Sequence, residues 1–346
     1  MFDNRLAPSE QKSLFLTGGT GFFGRSLLRH IDAANQTQQE TPWEVTVLTR
    51  SPGSFLASYP EFSDRAWLTF HAGDILAGQS GFPEHKAFTH VIHAAADSTL
   101  GPKMPSLDRF DQIVAGTRNV LDFAVRSGAK RFLLTSSGGV YGAQPPEVEK
   151  IPETYLGMPD PLWAANTYSV SKRLAEHLCA LYQEKHGLET IVARCFAFAG
   201  PDLPLDAHFA IGNFVRDALE RPEVTVNGKG LPIRSYLYQD DLATWLMSLL
   251  TNGRSGEAYN VGSDEGISIA ELANLVRDLL APGKPVHLIG SPVADSAVRN
   301  RYVPSIDKAR RELGLEIKTS LADAIRLTAK GIKRGIHSHE QRLGNA

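Results

Sequence analysis

The chain has 346 residues, with 36 Lys and Arg against 38 Asp and Glu, and a formal charge of −2. That balance argues against a protein that holds nucleic acid by neutralising phosphates, and the two cysteines, Cys179 and Cys195, are too few for a disulfide framework or a cysteine metal cluster. No apolar run reaches the roughly 18 residues that span a bilayer, and the polar stretch from Met1 to Lys12 lacks a signal-peptide core, so the sequence predicts a soluble cytoplasmic protein, not a membrane partner, of one large domain or two unequal ones.

The first strand is predicted at Ser13–Thr17 (SLFLT), an apolar run that ends in glycines, and Phe22–Ala33 follows with apolar residues at helical spacing. Further strands are read at Glu44–Leu48, Trp67–His71, His90–Ala94 and Lys130–Thr135. Between the last two, Asp108–Val125 carries Phe110, Val114, Val120, Leu121 and Ala124 on a helical face. A long loop over 139–160, with Pro145, Pro146, Pro152 and Pro159, precedes the helix Tyr168–Leu181, and such loops often cover a site. That helix stops at His186-Gly187, and a strand follows at Thr190–Ala197. The alternation predicts an α/β fold, a parallel sheet covered by helices. Beyond residue 200 the texture changes. Pro201 and Pro204 mark a loop, helices are read at Phe209–Leu219, Asp240–Leu250 and Ser268–Leu280, and a short strand at Val224–Val226 precedes Asn227-Gly228. Residues 331–346 have little apolar content and are read as a frayed tail.

The first strand and helix are joined by Thr17-Gly18-Gly19-Thr20-Gly21-Phe22-Phe23-Gly24. Gly18 and Gly21 permit a tight turn and let backbone N–H groups approach a pyrophosphate, while Gly24 allows close helix–strand packing. Many turns need glycine for their backbone angles alone, but this one lies at the first βα turn of an alternating chain, where a dinucleotide binds. A carboxylate at the tip of the second strand would suit the ribose hydroxyl of NAD; here Thr49-Arg50-Ser51 stands instead. Arg50 therefore points to NADP, with NAD the second choice, against the bland alternative of a solvated strand-end arginine. Asp74, after the third strand, reads either as an acceptor for the adenine amino group or as a surface turn residue.

Tyr168 and Lys172 lie four apart on one helical face, downstream of a strand that runs into Ser136-Ser137-Gly138-Gly139-Val140-Tyr141-Gly142. A strand-end serine beside a tyrosine and a lysine forms a proton-transfer group. The phenol's usual pKa near 10 is expected to fall beside an ammonium and a positive nicotinamide, so that Tyr168 takes or gives a hydroxyl proton as hydride moves. Each residue alone reads equally well as a helix-edge aromatic, a solvated lysine or a turn hydroxyl. His71, His90 and His93 show no metal-ligand spacing, and no metal is expected; His93 reads as packed beside the cofactor. Phe22, Phe23, Phe110 and Phe123 read as core, and no G-x-S-x-G elbow is present.

TGGTGFFG, the HAAA of His93–Ala96, SSGGVYG, YSVSK and Arg194…Gly200-Pro201 together resemble the extended short-chain dehydrogenase/reductases, and within them the nucleotide-sugar NAD(P)-dependent epimerase/dehydratase family. The likeness runs from about residue 13 to residue 317 and takes in Arg234–Ala243, Tyr259–Ser263 and Asp307–Leu315. It implies a Rossmann-type doubly wound parallel sheet with a smaller C-terminal α/β substrate-binding region. Residues 1–200 would form the dinucleotide-binding domain, and 201–330, interleaved with it, the main nucleotide-sugar region. It further implies Gly18, Gly21, Phe22, Phe23, Gly24, Arg50, Asp74, Ile75, Ala94, Ala95, Ala96 and Lys172 at the cofactor. Ser137 takes the catalytic serine position, Tyr168 is the acid/base and Lys172 its activator; Ser137 and Tyr168 also meet the substrate. Arg234 falls where the family pairs an arginine with a nucleotide diphosphate, and Arg299 or Arg301 adds a second phosphate contact. A homodimer is implied through the helices Asp108–Val125 and Tyr168–Leu181, with Leu174, Leu178 and Leu181 fitting that interface or the monomer core.

The chain departs from its relatives in three places. Gly138-Gly139 replaces the Asp-Glu pair of 4,6-dehydratases, which disfavours water elimination; Ala197 and Ile113 stand where many relatives have asparagine. The reading that follows is an NAD(P)-dependent oxidoreductase acting on a nucleotide-linked hexose at C4, of the 4-keto reductase type. A 4-epimerase that retains NAD is the alternative within the class. A non-catalytic NADP-sensing protein is the alternative outside it, and an intact Ser137, Tyr168 and Lys172 weighs against that.

Overall fold

Alternate residues of the first strand enter two different cores, and this period of two organises the main sheet. The computed structural model describes residues 12–37, 41–96, 103–205, 207, 209–290 and 301–343, with side chains as far as Ile332. Strand β1 (Lys12–Thr17) leads into helix α1 (Phe22–Thr37), β2 (Trp43–Thr49), α2 (Pro52–Ser58), β3 (Leu68–Ala72) and β4 (His90–His93). Then come α3 (Ser106–Arg126), β5 (Arg131–Ser137), α4 (Thr167–His186) and β6 (Glu189–Cys195). After the short β7 (Phe198–Ala199), α5 (Ala210–Glu220), β8 (Val224–Asn227), β9 (Ile233–Arg234) and β10 (Leu237–Tyr238), α6 (Gln239–Asn252) leads to β11 (Ala258–Val261). The chain ends with β12 (Ile267–Ser268), α7 (Ile269–Leu280), β13 (Val286–Ile289), β14 (Arg301–Tyr302), α8 (Asp307–Leu313) and α9 (Leu321–Leu343).

The main sheet has seven parallel strands in the order β11-β6-β5-β4-β1-β2-β3, the doubly wound arrangement the resemblance implies. On one face Leu14, Leu16, Ile92, Leu133, Ile191 and Ala193 meet Leu27, Leu28 and Ile31 of α1 and Trp245, Leu246, Leu249 and Leu250 of α6. On the other, Phe15, Val91, Phe132 and Leu134 meet Val120, Phe123 and Ala124 of α3 and Ala175 and Cys179 of α4. A third core gathers Phe214 and Val215 of α5, Leu272 and Val276 of α7, and Ala324, Ile325 and Ala329 of α9 around Tyr236 and Tyr238. Helix α7 begins with a reciprocal cap between Ser268 and Glu271.

Among the elements that the sequence expectation does not contain, two bear on the sheet and the chain end. Residues 258–261, noted only as part of a motif, add the seventh strand to the sheet through Ala258↔Val192 to Val261↔Cys195. The chain also stays helical to Leu343, past residue 331 where low apolar content predicts the structure to end. Ala324, Ile325, Thr328, Ala329 and Ile332 give the part of α9 before residue 333 a buried stripe at helical spacing.

Candidate active site

Beyond Thr17, at the end of β1, the chain turns through Gly18 with φ +72°, a region open to glycine. A Cβ on Gly18 would strike the carbonyl of Ala94, just past β4, and one on Gly24 would strike the backbone of Gly19. Turn, helix start and β4 end are thus packed with no room for a side chain between them. At Gly21 a Cβ would meet only the Gly18 carbonyl, at 3.4 Å, and the residue is exposed. The strand order reverses here, since β1 lies between β2 and β4, and the open N–H groups of α1 face the crevice where such sheets bind ligands. This cradle fits a dinucleotide pyrophosphate.

His93 is buried behind the turn, between Thr17 Oγ1 at 2.8 Å and Thr117 Oγ1 at 3.1 Å. Burial, with the charge of Lys172, pushes its pKa down to about 3, so it is neutral and serves as a brace. Arg50 is exposed at the end of β2. Asp74 caps its own turn by accepting from the Leu76 N–H at 2.8 Å through Oδ1. Ile75 is buried, with its carbonyl accepting from Asn119 at 2.8 Å. Phe22 and Phe23 are half-buried and pack on Phe198, while Ala94, Ala95 and Ala96 line the half-buried segment after β4.

Ser137 ends β5, where the chain closes into a short turn and the Gly139 N–H donates to Ser137 Oγ at 3.0 Å. Tyr168 and Lys172 project from the first turns of α4, which brings the Tyr168 phenol toward Ser137, close enough for the serine to favour the phenolate. Lys172 is buried, and its Nζ donates to the Thr135 carbonyl at 2.7 Å. Burial pushes its pKa down to about 8. Without the positive nicotinamide that the expected fall requires, desolvation of the half-buried ring, reinforced by Tyr302, pushes Tyr168 up to about 12, although Ser137 and Arg109 act the other way. Desolvation of a phenolate outweighs the cations in the protein alone.

Beneath these residues Glu176 accepts from Ser136 Oγ at 2.6 Å and from Arg194 Nη2 at 2.8 Å. Arg194 also donates to the Tyr141 hydroxyl at 3.0 Å, and that hydroxyl donates to Asn260 Oδ1 at 2.8 Å. The network ties β5, α4, β6 and β11 together. Sequence reasoning missed three participants. Tyr302 donates to the Cys195 carbonyl at 3.3 Å and lies 3.4 Å from Ser137 Oγ; its neighbour Arg301 was its one signal. Arg109 lies with its Cζ 4.5 Å from the centroid of the Tyr168 ring, one helical turn before Ile113. Glu176 follows Lys172 by one turn of α4.

Arg234 and Arg301 lie on the adjacent strands β9 and β14. Arg234 donates to the Ile233 carbonyl at 2.8 Å and Arg301 reaches the Glu149 carbonyl at 3.5 Å; Arg299 lies outside the described residues. Ala197 is half-buried and Ile113 fully buried. A Cβ on Gly138 would lie 2.6 Å from the Phe196 ring, so the glycine is also a packing requirement. Leu174 and Leu181 are 39% and 43% exposed, whereas Leu178 packs partly into the α3–α4 core. Among the described residues no group of three metal-binding side chains occurs, and no helix is long and apolar enough to cross a membrane.

The model of the NAD dependent epimerase/dehydratase family matches residues 14–262. UDP-glucuronic acid decarboxylase 5 of Arabidopsis thaliana is 33% identical over 334 residues, covering 94% of this chain and 91% of that protein. Among solved structures, UDP-glucose 4-epimerase with UDP-glucose from Thermotoga maritima superposes with a TM-score of 0.77 at 21% identity, over 94% of this chain and 99% of that one. RMD from Pseudomonas aeruginosa complexed with NADPH gives 0.74 at 24% identity, over 94% and 100%.

Proposed function

Since the chain belongs to the NAD dependent epimerase/dehydratase family, we propose that this nicotinamide-dependent enzyme reduces the C4 ketone of a nucleotide-linked hexose, with NADPH as the reductant. The observation that carries the reading is the convergence of Ser137, Tyr168 and Lys172 at the end of β5, two strands from the Gly18 turn. Gly18, Gly21, Gly24 and the start of α1 would hold the pyrophosphate, and Arg50 a 2′-phosphate. When bound, the nicotinamide supplies hydride to the sugar carbon or takes it back. Ser137 orients the C4 oxygen by hydrogen bonding, and Tyr168 gives that oxygen its proton, or removes it in the reverse direction. Lys172, anchored on Thr135, favours the phenolate and reaches toward the nicotinamide ribose. Arg234 and Arg301 pair with the diphosphate, a role that planar guanidinium groups suit. We place the copies of a homodimer against each other along α3 and α4, where Leu174 and Leu181 are left uncovered.

A redox-neutral conversion with retained NAD is the second reading. It is favoured by the relative named as a UDP-glucuronic acid decarboxylase and the structural neighbour named as a UDP-glucose 4-epimerase. A ketone formed at C4 would lie β to a carboxyl on C5, so transient oxidation by the same residues would serve either chemistry. The test is to denature purified protein and identify the dinucleotide released. An empty site that then takes NADPH in preference to NADH supports the reductase; retained NAD overturns it in favour of the redox-neutral reading. Tyr168→Phe lowers turnover by about 10²–10⁴ in both cases, and a variant with full activity removes Tyr168 from the mechanism.

A further inference from the structure

Helix α3 packs along α4, and its first turn places the Arg109 Cζ 4.5 Å from the centroid of the Tyr168 ring. One turn later on the same face, Ile113 is buried in the apolar core. The polar group that α3 brings to the site is therefore a guanidinium. The groups facing the phenol are Ser137 from β5, Cys195 from β6, Tyr302 from β14 and Arg109 from α3. On its own helix, Lys172 donates to the Thr135 carbonyl, and Glu176, a turn further, is paired with Arg194. Cys195 is a buried thiol pushed up to about 12 and so neutral. A guanidinium, in contrast to the buried ammonium of Lys172, keeps its charge in any such setting.

We propose that Arg109 is a positioning residue of the reaction: seated on the face of the Tyr168 ring, its permanent charge stabilises the phenolate left when the phenol gives up its proton. This rests on the reading of Tyr168 as the acid/base. In the reducing direction the Oη–H bond of Tyr168 breaks and the proton passes to the C4 oxygen as hydride reaches C4. The electron pair of the broken bond stays on the phenolate oxygen, in the field of Arg109. In the oxidising direction that phenolate takes the C4 hydroxyl proton, and the O–H bond reforms.

The test is NMR of the protein with tyrosine labelled at the phenolic carbon, titrated with pH in saturating oxidised NADP, or in oxidised NAD if that is the dinucleotide retained. Tyr168→Phe identifies the resonance. Arg109→Met is expected to raise the pH at which Tyr168 ionises by about 1–3 units, and Arg109→Lys to recover part of that shift. Coincident titrations in the wild type and Arg109→Met overturn the role of Arg109 and leave Tyr168 standing. A wild-type Tyr168 that stays protonated throughout overturns the acid/base reading itself.

Discussion

Gly18 and Gly187 share a left-handed backbone, with φ +72° and +67°, but not their surroundings, and replacing each by alanine separates two costs. At Gly187, which ends α4, a Cβ would meet nothing within 4 Å. Gly187→Ala therefore bears only the left-handed strain of an L side chain, about 1–2 kcal/mol. At Gly18 the same strain applies, and the Cβ would also lie 2.5 Å from the carbonyl carbon of Ala94 and 2.7 Å from the Ala95 nitrogen. Those are backbone atoms held by the β1–β4 pairing, so they cannot rotate away as a flexible side chain would. Overpacking of that kind adds about 1–3 kcal/mol. Gly18→Ala is thus expected to lose about 2–5 kcal/mol in total. Urea denaturation reads both losses as midpoint shifts at constant slope. At temperatures where both variants are folded, Gly18→Ala should also lose NADPH binding while Gly187→Ala retains it. Equal destabilisation of the two would refute the claim that the turn is pressed against β4.

Two further outcomes follow from a buried neutral imidazole and an exposed cation. Folding depresses the pKa of His93 to about 3 from its ordinary 6.5; the unfolded chain takes the proton first on acidification. Its stabilising contribution is therefore full above pH 6.5 and falls by up to about 1.4 kcal/mol per pH unit as pH drops toward the folded value. Urea midpoints collected from about pH 7 to about pH 5 should fall less steeply in His93→Gln than in the wild type, and parallel lines would refute the assignment. For Arg50, charge-assisted contact with a 2′-phosphate predicts that Arg50→Asp weakens NADPH binding by about ten-fold or more and leaves NADH unchanged. Calorimetric titration with each dinucleotide checks this, and an equal effect on both would identify Arg50 as a solvated strand end.

The parts of the fold legible in the sequence are those fixed by neighbours along the chain. The Gly18–Gly24 turn follows from glycine spacing, α3 and α4 from their apolar faces, and the Tyr168–Lys172 pair from one turn of helix. Long-range geometry left weaker traces. Four residues at Ala258–Val261 are too short to announce a strand by alternation, yet they complete the sheet because β6 needs a partner. Tyr302 reaches Ser137 across 165 positions of sequence, and only its place beside Arg301 sets it apart from any strand tyrosine. Arg109 reads from sequence as one more surface cation on an amphipathic helix; only the packing of α3 on α4 puts it over a particular ring. The upward push on the phenol in the protein alone has a related origin. Charge neighbours can be inferred from motifs, whereas burial is a property of the assembled site.

The pairing of β11 with β6 has a consequence for how the chain is made. Strand β6 ends at Cys195, but its partner ends at Val261 and is separated from it by α5, α6 and several short strands. A nascent chain with its first 200 residues outside the ribosome therefore holds a sheet of six strands with an open edge along β6. Such an edge offers unpaired N–H and C=O groups to any neighbouring strand. Helix α6, which covers one face of that sheet with Trp245, Leu246, Leu249 and Leu250, is also still to come. The N-terminal portion thus cannot finish ahead of the rest. A chain cut after residue 200 should aggregate where one extended to residue 261 gains both the missing strand and the missing cover.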